Sequence, residues 1–205
     1  MISDKHKYIF IHIPKCAGSS IEKLLMCNEG VTCDWTAKFP LKTLSDNDKH
    51  KYKLDIDSQQ HAQIGTHPIE KQRNYFCFTV VRNPWAKLIS SWLYHKRLKN
   101  FPGNLKQFIT SNDIGYDRHD QVEPYHLDTQ TSFINEHVNV ICRFESFVND
   151  FQYIQNKLKI DGILPHENKS ITNHYSEYYD DETRQIVAEI YASDIKSFNY
   201  NFDNV

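Results

Sequence analysis

The sequence predicts an α/β protein with a mostly parallel central sheet and helices on both of its faces. Three observations predict it. Short apolar runs that read as buried strands are each followed by a segment of helical periodicity, the unit repeats along the chain, and the two motifs richest in chemistry sit at strand-to-helix junctions. In such folds ligands gather at the carboxyl ends of the strands.

Lys7 to Ile13 reads as the first buried strand. Ser19 to Cys27 follows as a helix with Ile21, Leu24 and Leu25 on one face, stopping near Asn28 and Gly30. Tyr75 to Val81 is the second strand. After it Asn83 suits an N-cap, Pro84 falls where a first helical turn tolerates proline, and Trp85, Leu88, Ile89, Trp92 and Leu93 form an i, i+3, i+4, i+7, i+8 stripe. Val138 to Cys142 is a third strand, and Phe147, Val148, Phe151, Ile154 and Leu158 recur at helical spacing behind it. A last helix starts around Asp180, Asp181 and Glu182, whose charges suit a helix N-terminus, and carries Ile186, Val187, Ile190 and Tyr191. Residues 31–60 and 98–132 are polar, dotted with aromatics and irregular; long segments of that kind are often functional.

The 205 residues suffice for one domain, expected to span 1–205. Lysine plus arginine (24) nearly balance aspartate plus glutamate (26), so bulk charge gives no argument for nucleic acid or an anionic membrane, and any anion site must be local. Five cysteines (Cys16, Cys27, Cys33, Cys77, Cys142) show no CxxC pair and no metal spacing, and their odd number leaves at least one thiol unpaired. No metal is called for. The apolar run from Tyr8 to Ile13 is too short for a membrane span and lacks the flanks of a secretory signal. With Met1 as native start, a bacterial cytoplasmic protein is expected.

The segment Phe10-Ile11-His12-Ile13-Pro14-Lys15-Cys16-Ala17-Gly18-Ser19-Ser20 carries an apolar strand straight into a short loop that opens a helix. That arrangement builds an anion site: backbone N–H groups of a first helical turn carry partial positive charge, Gly18 lets the backbone approach closely, Ser19 and Ser20 add donors, and Lys15 adds a full charge. A Walker loop places its lysine after the last glycine, whereas here Lys15 precedes Gly18 by three residues. Taken alone, Lys15 reads better as an ordinary exposed lysine ahead of a helix.

Together with Phe78-Thr79-Val80-Val81-Arg82-Asn83-Pro84-Trp85 and Ser90, this segment resembles the sulfotransferases that use 3′-phosphoadenosine 5′-phosphosulfate (PAPS), most of all carbohydrate O-sulfotransferases of the heparan 2-O-sulfotransferase type and their compact bacterial relatives. The resemblance runs from about Ile9 to Phe202 and implies a P-loop-like three-layer fold. It also implies that Lys15 and the loop Cys16, Ala17, Gly18, Ser19 and Ser20 hold the 5′-phosphosulfate, with Lys15 neutralising charge on the leaving oxygen. Arg82 and Ser90 would take the 3′-phosphate, and Lys169 and Ser170 would contact the nucleotide from a later loop. His61, in Gln60-His61-Ala62, would be the general base, with His67 its competitor; His12 reads as a core or site-wall histidine. Cys16 stands where relatives often carry threonine. Eukaryotic relatives are typically anchored in the Golgi, whereas this chain is expected to lack the anchor.

Tyr94, His95, Lys96, Arg97, Lys99, Lys106, Tyr116, Arg118, Tyr125, His126 and Gln130 offer cations, aromatics and amides after the helix carrying Ser90, so a carbohydrate acceptor, especially an acidic one, is expected. Two other readings compete: a nucleotide-dependent kinase, for which the Walker lysine and a magnesium-holding aspartate motif are missing, and a glycan- or nucleotide-binding module without turnover.

Overall fold

The structure is a computed structural model and describes residues 1–31, 45–47, 61–110, 125–164 and 173–203. The strands are β1 (Ile2–Ser3), β2 (Tyr8–Ile11), β3 (Phe76–Val81) and β4 (Val140–Arg143). The helices among the described residues are α1 (Gly18–Asn28), α2 (Ile69–Asn74), α3 (Pro84–Leu98), α4 (Leu105–Ile109), α5 (Phe147–Leu158), α6 (Asp181–Ile190) and α7 (Ala192–Phe198). None of them is long and apolar enough to cross a membrane. They belong to two compact units, Met1–Val81 with Phe133–Glu167, and Arg82–Ser132 with Asn168–Val205.

The first unit holds the whole sheet, in the order β1-β2-β3-β4. β1 pairs antiparallel with β2, while β2, β3 and β4 run parallel, with Ile11 opposite Thr79 and Val81 opposite Arg143. All four residues of β2 and five of the six in β3 are buried, and because successive side chains point to opposite faces, both faces of the sheet are covered. On one face Phe10 stacks on Phe78 at 5.2 Å and Phe151 of α5 lies 6.4 Å from Phe78. On the other, the Cys77 Sγ lies 3.5 Å from the Gln72 carbonyl of α2. The mixed α/β architecture with a mostly parallel sheet is the one expected from the sequence.

The third strand starts two residues later than expected. Asn139 donates its N–H to the Cys77 carbonyl at 2.8 Å and accepts the Cys77 N–H on its side chain at 2.7 Å, so a side chain fills the place of a ladder bond before Val140. α1 begins at Gly18 and ends at Asn28; beyond it Gly30 adopts φ +75°, a backbone that favours glycine. Val148, counted on the apolar stripe of α5, is 68% exposed, and the buried face of that helix is Phe151, Ile154 and Leu158.

The second unit is built around α3. Asn83 caps it as expected, its Oδ1 accepting the N–H groups of Trp85 and Ala86 at 3.1 and 3.4 Å, with Pro84 in the first turn. Ile89, Phe108, Leu127, Val187 and Tyr191 pack with Trp85 in its core. Residues 84–91 of α3 are buried on every side, so Ser90, placed off the stripe by the sequence, is buried too. The expected last helix is two helices joined at Tyr191: α6, opened by a capping box between Asp180 and Thr183, and α7. Ile190, at the end of α6, faces solvent.

Candidate functional site

The loop between β2 and α1 has an unusual backbone. Lys15 has φ 65° and Ala17 φ 64°, two left-handed non-glycine residues within three positions. Each costs about 1 kcal/mol or more, and such strain persists where a structure has a use for it. Left-handed residues of this kind are part of the backbone from which anion-binding concavities are built. Ser20 and Ile21 turn their N–H groups back to the Ala17 carbonyl at 3.1 and 3.3 Å. The N–H groups of Gly18 and Ser19 then have no acceptor within α1, and Ala17 supplies no side-chain cap. Lys15 is half-buried, Ser19 exposed and Ser20 buried. Cys16 is buried with its Sγ 3.5 Å from the Pro14 carbonyl.

Gly18 matters for a reason the sequence did not disclose. A Cβ there would lie 1.9 to 2.5 Å from the atoms of the His12 ring, so the space a side chain would take is filled by that imidazole. His12 is in turn fixed by Glu22 of α1, with Oε1 3.0 Å from Nδ1 and the two side chains 0% and 5% exposed. A glutamate in an amphipathic helix reads as a surface residue, and only the folded structure reveals this one as the inner partner of a histidine just beyond β2.

His61 completes the cluster. Its ring meets that of His12 edge-on at 4.5 Å, and its Nδ1 lies 3.0 Å from the His12 carbonyl oxygen. A carbonyl only accepts, so this contact is a hydrogen bond when Nδ1 carries the proton; in the neutral ring the lone pair then resides on Nε2. His61 is half-buried, whereas His67 is 7% exposed and its carbonyl accepts a bond from Gln72 at 2.6 Å. The structure therefore brings His61 together with His12 and the helix start that follows Lys15.

β2 and β3 run parallel, so the Lys15 loop and the junction at Arg82 follow the carboxyl ends of adjacent strands, as the α/β rule expects. Arg82 is half-buried and its backbone is bonded on both sides by the Gln130 side chain: Arg82 N–H to Oε1 and Nε2–H to the Arg82 carbonyl, each at 2.8 Å. Ser90 is 5% exposed. Lys169 and Ser170 lie outside the described residues.

The expected acceptor residues divide sharply. His95 and Gln130 are fully buried and His126 is 3% exposed, so these three belong to the core and not to a sugar-binding surface. His95 donates from Nδ1 to the Ser91 carbonyl (2.7 Å), and His126 pairs with the Ser91 hydroxyl (3.0 Å). Lys106 pairs with Glu182 at 2.6 Å. Lys96, Arg97 and Lys99 are exposed at the end of α3, Tyr94 and Tyr125 are half-buried, and Tyr116 and Arg118 lie outside the described residues.

Residues 1–201 match a family model described as Sulfotransferase family, across both compact units. A mouse sulfotransferase, SULT7A1, whose crystal structure is of a complex with PAP, superposes with a TM-score of 0.55 at 15% identity, covering 96% of this chain and 84% of that one. A sulfotransferase from Alicyclobacillus acidocaldarius superposes with a TM-score of 0.52 at 14% identity, covering 93% and 92%. An uncharacterized protein of Archaeoglobus fulgidus is 50% identical over 41 residues, which are 20% of this chain and 34% of that protein.

Proposed function

The chain belongs to the sulfotransferase family, whose sulfuryl donor is PAPS, and on that premise we propose that its acceptor is a carbohydrate hydroxyl and that Lys15 and His61 carry the transfer. The observation that carries this reading is the uncapped start of α1 behind a left-handed Lys15 and Ala17, with His61 bonded to the adjoining His12 carbonyl. A doubly charged phosphosulfate suits N–H groups that a side chain would otherwise cap.

In the proposed reaction the acceptor oxygen attacks sulfur in line with the bond to the 5′-phosphate. That bond breaks with its electron pair passing to the phosphate oxygen, where Lys15 neutralises the new charge. The acceptor proton passes to Nε2 of His61, left with its lone pair by the Nδ1–H bond to His12. The N–H groups of Gly18 and Ser19 and the hydroxyls of Ser19 and Ser20 hold the phosphosulfate, with Cys16 and Ala17 supplying backbone. Arg82 and Ser90 take the 3′-phosphate, a charge that distinguishes this donor from ordinary adenine nucleotides; Lys169 and Ser170 are assigned to the same nucleotide.

The acceptor class rests on Tyr94, Lys96, Arg97 and Lys99, which put an aromatic ring and three cations at the end of the helix carrying Ser90. Aromatic faces stack on sugar rings, and cations pair with uronate or sulfate groups. A panel of saccharides, simple phenols and amines, read out by transfer of label from radioactive PAPS, tests it. Transfer to acidic saccharides, weakening as salt rises, is the expected result. Strong transfer to a phenol with none to any glycan overturns the acceptor assignment, and transfer to nothing, with nucleotide still bound, points to a binding module.

A further inference from the structure

The β3 ladder ends at Val81, whose carbonyl accepts the Phe144 N–H at 2.8 Å. The N–H and C=O of Arg82, the next residue, therefore need other partners, since buried backbone groups are rarely left unpaired. Gln130 supplies both: a primary amide presents donor and acceptor side by side, as a neighbouring peptide would, and here both are bonded to Arg82 at 2.8 Å. Gln130 is itself fixed by Asp194 of α7. Asp194 Oδ2 accepts the Gln130 N–H at 2.8 Å and lies 3.3 Å from its Nε2, while Oδ1 accepts the Thr131 N–H at 2.9 Å. Gln130 and Asp194 are both 0% exposed. On the other side of Arg82, Asn83 is locked by its cap bonds and by donation to the Asn201 carbonyl at 2.8 Å. The backbone is thus fixed at residues 82 and 83.

We propose that Gln130, held by Asp194, is a positioning residue for the donor's 3′-phosphate: it sets the direction from which the Arg82 guanidinium leaves the chain. The proposal rests on the reading of Arg82 as the 3′-phosphate ligand. Its physical content is preorganisation: a bidentate guanidinium contact is directional, and ordering its backbone before binding removes a cost from the complex. Two fully buried polar side chains in series, ending on the backbone of one arginine, are a costly arrangement for a turn that needed only to be satisfied.

The test is calorimetric binding of adenosine 3′,5′-bisphosphate and adenosine 5′-phosphate to the parent protein and to Gln130→Met, Asp194→Asn and Arg82→Ala. Met keeps the volume of Gln and removes both bonds to Arg82, and Asp194→Asn, which keeps size, serves if Gln130→Met does not fold. Either variant is expected to weaken the bisphosphate by roughly 5- to 10-fold while the 5′-phosphate changes by less than about 2-fold, so the ratio of affinities falls. Gln130→Glu keeps the acceptor for the Arg82 N–H and should restore part of the ratio. A lower Tm with the ratio intact in Gln130→Met and Asp194→Asn, while Arg82→Ala abolishes it, overturns this inference and leaves the reading of Arg82 standing. No preference in the parent, or a preference that survives Arg82→Ala, overturns both.

Discussion

The Nδ1 atom of His61 lies 3.0 Å from the main-chain oxygen of His12, the residue whose ring occupies the place of a side chain on Gly18. One residue just beyond β2 thereby fixes the orientation of the proposed base with its carbonyl and the start of α1 with its imidazole. The carbonyl selects the His61 tautomer that leaves Nε2 able to take a proton.

If His61 is the base, His61→Ala slows transfer by a factor on the order of 100 or more, while affinity for adenosine 3′,5′-bisphosphate is nearly unchanged, because a base acts on the acceptor alone. Steady-state rates and nucleotide titration on the same preparation check this. Loss of activity in His67→Ala with full activity in His61→Ala would move the role to the other histidine.

Lys15 should fail differently. In the proposed reaction its charge meets the donor in the ground state and the leaving oxygen in the transition state, so Lys15→Ala is expected to reduce both turnover and nucleotide affinity. A variant with normal turnover at saturating donor would remove Lys15 from the chemistry.

Gly18→Ala places a Cβ where the His12 ring sits, and overpacking of that kind costs about 1–3 kcal/mol. A lower Tm and weaker nucleotide binding are expected together. His12→Ala in the same chain should relieve part of the loss, giving a non-additive double-mutant cycle; strictly additive effects would show that the two positions do not share the space.

Two thermal and chemical signatures follow from the fold. Bonds from the Thr183 hydroxyl and N–H, at 2.5 and 2.8 Å, hold the Asp180 carboxyl below the usual carboxylate range. A lowered native pKa stabilises the folded state at pH above the unfolded value and loses that contribution as pH falls through the native one. The Tm gap between parent and Asp180→Ala should hold from about pH 5 to 8 and shrink below about pH 4. Burial pushes the Cys77 thiol up to about 11, and burial with the nearby Asp150 charge pushes Cys142 up to about 12. Both should resist maleimide under native conditions, while the exposed Cys27 reacts readily.

The parts of this fold that were legible in the sequence carry strong local signals. Asn83-Pro84 followed by a long apolar stripe could only open α3, and continuous apolar runs marked β2 and β3. β1 was not legible because two residues cannot show alternation, and α7 was hidden because Tyr191, read as the end of one helix, is the joint between two. At the site, Lys15 and Gly18 stood out through their motif. Glu22 did not, because nothing in helical periodicity distinguishes a buried carboxylate from a solvated one, and Gln130 was read as a ligand-facing amide because its burial depends on Asp194, sixty-four positions away.

The proposed selection of a nucleotide bearing a 3′-phosphate rests on Arg82 gripping that phosphate. Its most direct test is titration of the parent protein and Arg82→Ala with adenosine 3′,5′-bisphosphate and adenosine 5′-phosphate. A clear preference for the bisphosphate in the parent, and loss of about 1.5 to 3 kcal/mol of it in Arg82→Ala, are the expected results. Equal affinity for the two nucleotides in the parent would contradict that selection.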